Sequence, residues 1–297
     1  MQLAMENLYD SQGKVLPTYT NSLSGYKRCI EVTHGLTFII QEISCKKDVT
    51  FTESITKGIY ISLLANKAVS NGHSYDSLHV TYSPSKTSGS FTVRAGETKS
   101  LLQIQIQPYL LAQALNESTE NCINYLTRSI HKLAAKNSSI LTIPVTSELI
   151  TSATPLLVLS PQRRLRLMGD IYAFIFLVLE QVQILTHMLS CADCQSKLFN
   201  VQNLLETDAG LTKDVKDFAH QAGLSVTALE LSFHHLVGQT VTQYRNQVRL
   251  KRAAAMLRTE GYTKLDIVKK TGFSETQLET LFMQHFGVPT AQYGQVH

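Results

Sequence analysis

His187, Cys191 and Cys194 follow one another at steps of four and three residues. On an unbroken helix this spacing puts an imidazole and two thiols on one face, and these are ligands that zinc and softer metals favour. Ser190 reads as a helix boundary, which would scatter the three, and no second Cys/His cluster stands ready to complete a tetrahedral set. Ordinary, partly buried thiols are the plainer reading, so neither a metal nor a cofactor is expected. His34, His73 and His79 lack close ligand spacing. Phosphate-binding loops, dinucleotide-binding glycine patterns, Gly-x-Ser-x-Gly and HExxH are absent, and an enzyme is not expected.

A second group of residues points to nucleic acid. Gly223-Leu224-Ser225 through Phe233 and Gly238 is echoed by Gly272-Phe273-Ser274 through Phe282 and Gly287, and Tyr244 by Tyr293, all at a constant offset of 49. A fixed internal period means a duplicated structural unit. Each copy reads as two short helices joined by a tight turn. Thr212 and Thr263 are suitable N-caps, with Asp266 placed as in a capping box; Gly223 and Gly272 end the first helices; Ser225 and Ser274 cap the second. Leu229 with Phe233, and Leu278 with Phe282, are i,i+4 pairs that bury one face and leave the other for a DNA groove. The expected core is Phe218, Leu229, Phe233, Leu257, Ile267, Leu278, Phe282 and Phe286. Between the copies, Thr240 to Thr259 lacks Pro and Gly and reads as a helix of ~30 Å, close to the ~34 Å that separates successive major grooves on one face of DNA. It carries Arg245, Arg249, Lys251, Arg252 and Arg258, with Glu260 just beyond. Phosphate contact or a solvated basic face are both natural uses.

The rest of the chain must position these groups. Its 297 residues suffice for two domains, and a net charge of +4 confines any nucleic-acid surface to a local patch. Five cysteines at irregular spacing argue against a disulfide framework and for a reducing cytoplasm. The first ten residues lack the pattern of a signal peptide. Residues 36–107 read mostly as short strands, closing on the strict alternation of Leu102 to Gln107, with turns at Asn71-Gly72 and Ala95-Gly96. Helices are expected from Pro108 and over Ser118 to Lys136, then a connection over Ser138 to Pro144. A long helix over Gln162 to Leu189 would carry a stripe of Leu165, Met168, Tyr172, Ile175, Leu179, Val182 and Thr186. Its most apolar run, Ile171 to Leu179, is shorter than a membrane span and reads as a buried helix.

Residues 197–297 resemble the DNA-binding domain of AraC/XylS transcription regulators. The motifs that carry this are Leu211-x6-Phe218-Ala219-x3-Gly223-Leu224-Ser225, Leu229-x3-Phe233-x4-Gly238, Tyr244-x4-Arg249-x3-Ala253-x3-Leu257, Ile267-Val268-x3-Gly272-Phe273-Ser274, Phe282-x3-Phe286-Gly287-Val288-Pro289 and Tyr293. The strand-rich half resembles the family's cupin-like sensing domain, and the helix with its linker resembles the siderophore-responsive, pyochelin-regulator-like branch. The resemblance implies an α+β chain: a sensing domain over 1–145, a helical segment that is a candidate for dimerisation, with linker, over 146–196, and a seven-helix module with two helix-turn-helix units over 197–297. It implies a cytoplasmic activator, a possible homodimer, that answers an unknown small-molecule effector, binds promoter DNA and contacts RNA polymerase, with no membrane partner.

The recognition helices depart from that family. Residues 225–238 hold no Lys or Arg and one Glu; residues 274–287 hold none and two Glu. Leu231 and Thr280 stand where the family usually carries an Arg, the common reader of guanine, and both are expected on an exposed face. Two explanations compete. Thr227, Glu230, Leu231, Thr276, Glu279 and Thr280 read bases by other chemistry, with His234, Arg245, Arg249 and Arg252 among the phosphate contacts. Alternatively, the module has kept its fold, lost strong DNA affinity and acts through protein–protein interaction.

Overall fold

Alternating apolar and polar residues build the first half of the chain. In the computed structural model, which describes residues 1–67, 75–136, 138–157, 164–211, 213–259 and 261–293, the chain divides into two compact units, Met1–Thr186 and His187–His297. The first unit holds β1 (Gln2–Ala4), β2 (Leu23–Thr33), β3 (Leu36–Cys45), β4 (Val49–Ile55), β5 (Gly58–Ala65), β6 (Ser77–Ser83), β7 (Thr87–Val93) and β8 (Thr98–Ile106), followed by α1 (Pro108–Leu115), α2 (Thr119–Leu133), β9 (Ile140–Ile143), α3 (Ser147–Leu157) and α4 (Arg164–Met188). A six-stranded antiparallel sheet runs β2-β3-β8-β5-β6-β9, and a three-stranded sheet runs β1-β4-β7. Val49, Phe51 and Val93 of the small sheet share one core with Leu23, Ile43 and Cys45 of the large one, so the two sheets face each other.

The alternation in β8 is real: Leu102, Ile104 and Ile106 are buried, while Gln103 and Gln105 reach across the sheet to Ser62 and Thr56 at 3.0 and 2.6 Å. Pro108 opens α1, and Ser118 caps α2 by accepting from the Asn121 N–H. Several expectations need correction. β1 and β2 lie outside the 36–107 stretch read as strands, and Ile140–Ile143, read as a connection, pairs with β6. β2 and β9 are sheet edges: β2 is buried only at Leu23 and Val32, and β9 is four residues long with Ile140 in solvent, so neither presents a clear period-2 signal. α3 lies within the 146–196 segment expected to be helical. The turn at Asn71-Gly72, His73 and the expected start at Gln162 lie outside the described residues.

α4 is shifted in phase from its expected stripe. Ile171, Phe174, Ile175, Val178, Gln181, Val182, Leu185 and Met188 are buried, whereas Leu165 is 85% exposed. Over Leu165–Met188 it is long and apolar enough, by length and composition, to cross a bilayer. Its buried residues nonetheless recur at three- and four-residue steps on one face, the pattern of a helix packed on one side.

The second unit is all-α, so the chain as a whole is α+β, as expected. It contains α5 (Ala192–Leu205), α6 (Val215–Ala222), α7 (Val226–Val237), α8 (Val241–Arg258), α9 (Lys264–Thr271), α10 (Glu275–Phe286) and α11 (Thr290–Tyr293). α5 packs on α6, α7 and α8, and α8 on α9, α10 and α11.

Candidate nucleic-acid interface

Local chemistry sets both helix-turn-helix units. α6 and α9 end at Gly223 and Gly272 with φ of +64° and +71°, and α7 and α10 end at Gly238 and Gly287 with φ of +76° and +75°. Ser225 and Ser274 cap α7 and α10 by accepting from the N–H three residues on. Thr263 forms the expected capping box with Asp266 at the start of α9. Thr212 lies outside the described residues; the cap of α6 is Asp214, in a reciprocal box with Asp217. Thr240 and Gln243 form a further box at the head of α8, whose 18 residues span ~27 Å.

The duplicated core is equally regular. Leu229, Phe233, Leu278 and Phe282 are all buried, as are Phe218 and Ile267, while Leu257 and Phe286 are partly buried against the second unit's core. Tyr244 meets Phe233 edge-on at 5.6 Å and 77°, and Tyr293 meets Phe282 at 5.1 Å and 85°. The repeated tyrosines therefore close the repeated phenylalanine pockets.

The basic residues of α8 lie differently from the sequence expectation. Arg249 is buried at 6% exposure, and its Nε donates to the Leu211 carbonyl at 2.6 Å while Nη2 bonds the same oxygen. Its guanidinium lies 5.3 Å from the centre of the Phe273 ring, and burial lowers its pKa to about 10. Arg245 donates through Nη1 to the Lys213 carbonyl, and Arg252 through Nη1 to the Asp208 carboxylate and through Nη2 to the Glu206 carbonyl at 2.6 Å. Positions 245, 249 and 252 share one helical face, and that face clamps the 206–213 segment onto α8. Gly272 closes the clamp: a Cβ there would stand 3.1 Å from Arg249 Nη2 and 3.2 Å from the Leu211 oxygen. Arg258 is engaged as well, donating to the Tyr293 hydroxyl at 2.5 Å. The exposed cations near these helices include Lys251 and Lys269. Glu260 lies outside the described residues.

On the recognition helices, Thr276 and Thr280 are exposed and Thr227 is partly exposed. Leu231 is fully buried, which corrects its expected place on an exposed face. The physical reason is composition: α7 adds Ala228 and Leu231 to its Leu229/Phe233 pair, widening its apolar face, whereas α10 buries only Leu278 and Phe282. Glu230 and His234 are half-buried, and desolvation raises the Glu230 pKa and lowers that of His234. Glu279 turns inward. It accepts from Lys264 Nζ at 2.7 Å and Thr290 Oγ1 at 2.5 Å, and these bonds hold its carboxyl below the usual range. No local pattern signals the Lys264–Glu279–Thr290 tie, because its members belong to three different helices.

Residues 218–295 match a family described as a helix-turn-helix domain. The C-terminal unit carries a helix-turn-helix domain. No curated protein matches the chain. Among solved structures, a transcriptional regulator with an AraC-type DNA-binding domain from Chromobacterium violaceum is similar at 24% identity and a TM-score of 0.31, over 35% of this chain and 95% of that one. The DNA-binding domain of the global transcriptional factor AdpA, in complex with a target DNA, is similar at 22% identity and a TM-score of 0.29, over 38% and 90%. ToxT from Vibrio cholerae is similar at 14% identity and a TM-score of 0.28, over 84% and 98%. The helix-turn-helix domain of the present chain carries no Lys or Arg on α7 or α10.

Two further groups complete the inventory. His187, Cys191 and Cys194, which the break at Ser190 was expected to scatter, have their ligand atoms within 4.8 Å of one another. In the first unit, Leu111, Leu115, Cys122, Leu126, Phe176 and Leu179 line a mostly apolar cavity of ≈540 Å³ between α1, α2 and α4, with Glu117 and Glu180 at its wall.

Proposed function

We propose that this chain is a sequence-specific DNA-binding transcription regulator whose first unit senses a small molecule and whose AraC-type domain binds promoter DNA. One observation carries the reading: two helix-turn-helix units with the same caps, the same Leu/Phe pair and the same edge-on tyrosine are held apart by a single capped helix of groove-repeat length. Thr227 of α7 and Thr276 and Thr280 of α10 read base edges, and Lys251 and Lys269 contact phosphate. The family likeness extends the reading to a cytoplasmic, non-enzymatic activator that contacts RNA polymerase as a homodimer.

The cavity between α1, α2 and α4 supports the effector's place. Its volume lies within the ~300–1,000 Å³ of small-molecule sites. An apolar lining with Glu117 and Glu180 suits an apolar body carrying a hydrogen-bond-donating or cationic group. Such a ligand acts only through a difference in affinity for two arrangements of the chain.

A second reading has its own observation. Neither recognition helix carries a cation, and Arg245, Arg249 and Arg252 are engaged inside the domain, which suits a module that binds protein. Selection from a random-sequence DNA library at two salt concentrations separates the two. The regulator yields an enriched motif with half-sites about one helical turn apart. A folded, monodisperse chain that enriches nothing at low salt, with or without candidate amphiphilic amines, overturns the DNA reading in favour of a protein partner.

A further inference from the structure

The turn from α4 into α5 brings together three side chains that the regulator reading does not use. His187 sits in the last turn of α4, Cys191 caps α5, and Cys194 lies in the first turn of α5. Cys194 Sγ lies 3.7 Å from His187 Nε2, and the three ligand atoms fall within 4.8 Å of one another. The turn is built independently of any ligand. Ser190 and Cys191 donate backbone N–H bonds to the His187 carbonyl at 2.9 and 3.0 Å, and Gln195 Nε2 donates to the Leu189 carbonyl at 2.7 Å. Helix α4 does break at Ser190, but the chain folds back at once, and the ligand atoms meet across the break.

Tetrahedral geometry gives the measure of fit. Metal–sulfur bonds of about 2.3 Å and metal–nitrogen bonds of about 2.0 Å put S and N ~3.6 Å apart and two S atoms ~3.8 Å apart. The observed spacing meets that for Cys194 and His187, and the remaining separations, all within 4.8 Å, need at most ~1.2 Å of closure, within reach of side-chain rotation. Burial is graded: Cys194 is buried, Cys191 intermediate and His187 exposed. The donors thus form one wall of a site whose fourth position faces solvent, as in three-ligand zinc sites.

We propose that His187, Cys191 and Cys194 form a binding site for a thiolate-seeking d¹⁰ cation of the zinc class. Binding displaces the protons of the two thiols and ties the end of α4 to the start of α5. A bare Cys-x-x-Cys pair would suit a dithiol–disulfide couple instead. The histidine at ligand distance is what a disulfide does not require.

The test uses the reduced, metal-stripped, tag-free full-length chain, titrated with Zn²⁺ in competition with a chromophoric chelator. Co²⁺ serves as a second, spectroscopic probe and Mg²⁺ as a control. One Zn²⁺ per chain is expected, with a thiolate-to-cobalt charge-transfer band, a rise in Tm on Zn²⁺ addition and no response to Mg²⁺. His187→Gln, at an exposed position that leaves folding intact, should weaken Zn²⁺ binding by at least the ~10–100-fold typical of disturbing even an outer-shell group. Cys191→Ser and Cys194→Ser should abolish the charge-transfer contribution of their sulfur, and Cys29→Ser, at an exposed thiol elsewhere, should change nothing. The proposal falls if the reduced chain binds no Zn²⁺, if binding survives both cysteine changes, or if His187→Gln binds as tightly as the parent. Readiness to form a Cys191–Cys194 disulfide with no Zn²⁺ uptake would also overturn it.

Discussion

The two helix-turn-helix units share a scaffold and differ in what their helices face. Caps, helix-ending glycines, Leu/Phe pairs and edge-on tyrosines are the same at an offset of 49. Between those fixed points the copies diverge. α7 buries Ala228, Leu229, Leu231, Ser232 and Phe233, while α10 buries Leu278 and Phe282 and leaves Thr276 and Thr280 in solvent. Glu230 and Glu279 occupy the same place in the repeat, yet burial raises the pKa of the first, and Lys264 with Thr290 lowers that of the second. Gly223 is needed only for its backbone conformation, whereas Gly272 also makes room for Arg249. Duplication thus preserves what each unit needs to fold, and leaves the remaining positions free to take different partners.

The largest expected effect tests the shared scaffold. Phe233→Ala and Phe282→Ala should each lower unfolding free energy by ~3–5 kcal/mol, because both empty a fully buried aromatic site. Denaturant melts that show a large loss in one copy and none in the other would break the equivalence of the two cores.

Next comes the contrast at the paired positions 231 and 280. Leu231→Arg forces a cation into a fully buried site and should cost at least the ~2–5 kcal/mol of losing a buried leucine. Thr280→Arg sits in solvent and should change stability by no more than ~0.5 kcal/mol. It should instead steepen the salt dependence of DNA binding by about one phosphate contact, or shift base preference toward guanine. Equal stability losses at both positions would erase the asymmetry.

Smaller effects are expected along α8. Arg249→Gln removes the donors that satisfy the Leu211 carbonyl and should destabilise by ~1–3 kcal/mol while leaving the slope of DNA affinity against salt unchanged. A slope reduced by about one, with stability intact, would place Arg249 on a phosphate.

The finest test uses the paired glutamates. Glu279, with its folded pKa lowered, contributes stability that is present above the ordinary glutamate value and is lost as pH falls through the folded value. Glu279→Gln should therefore destabilise at neutral pH, and the difference should fade in acid. Glu230, with its folded pKa raised, carries a penalty at neutral pH that vanishes as pH falls below the ordinary value. Glu230→Gln should be neutral or stabilising at pH 7, with no advantage in acid. Melting temperatures of both variants across pH check the opposite signs.

What the sequence determined by itself is local. The alternation of β8, the caps at Ser118, Ser225, Thr263 and Ser274 and the glycines that end four helices all depend on groups within about four residues of one another. They are legible because backbone geometry fixes the spacing. Only the tertiary structure decided the partners. Leu211 receives Arg249 across 38 residues, and Asp208 receives Arg252 across 44. A basic helix with a free face and one with a clamped face have the same sequence pattern, since composition records charge and not direction. The phase of the α4 stripe was likewise settled by packing, because several apolar faces were available on so hydrophobic a helix. His187 and Cys194 stand only seven residues apart, yet their meeting depends on how the chain turns at Ser190, and a helical repeat cannot describe a turn.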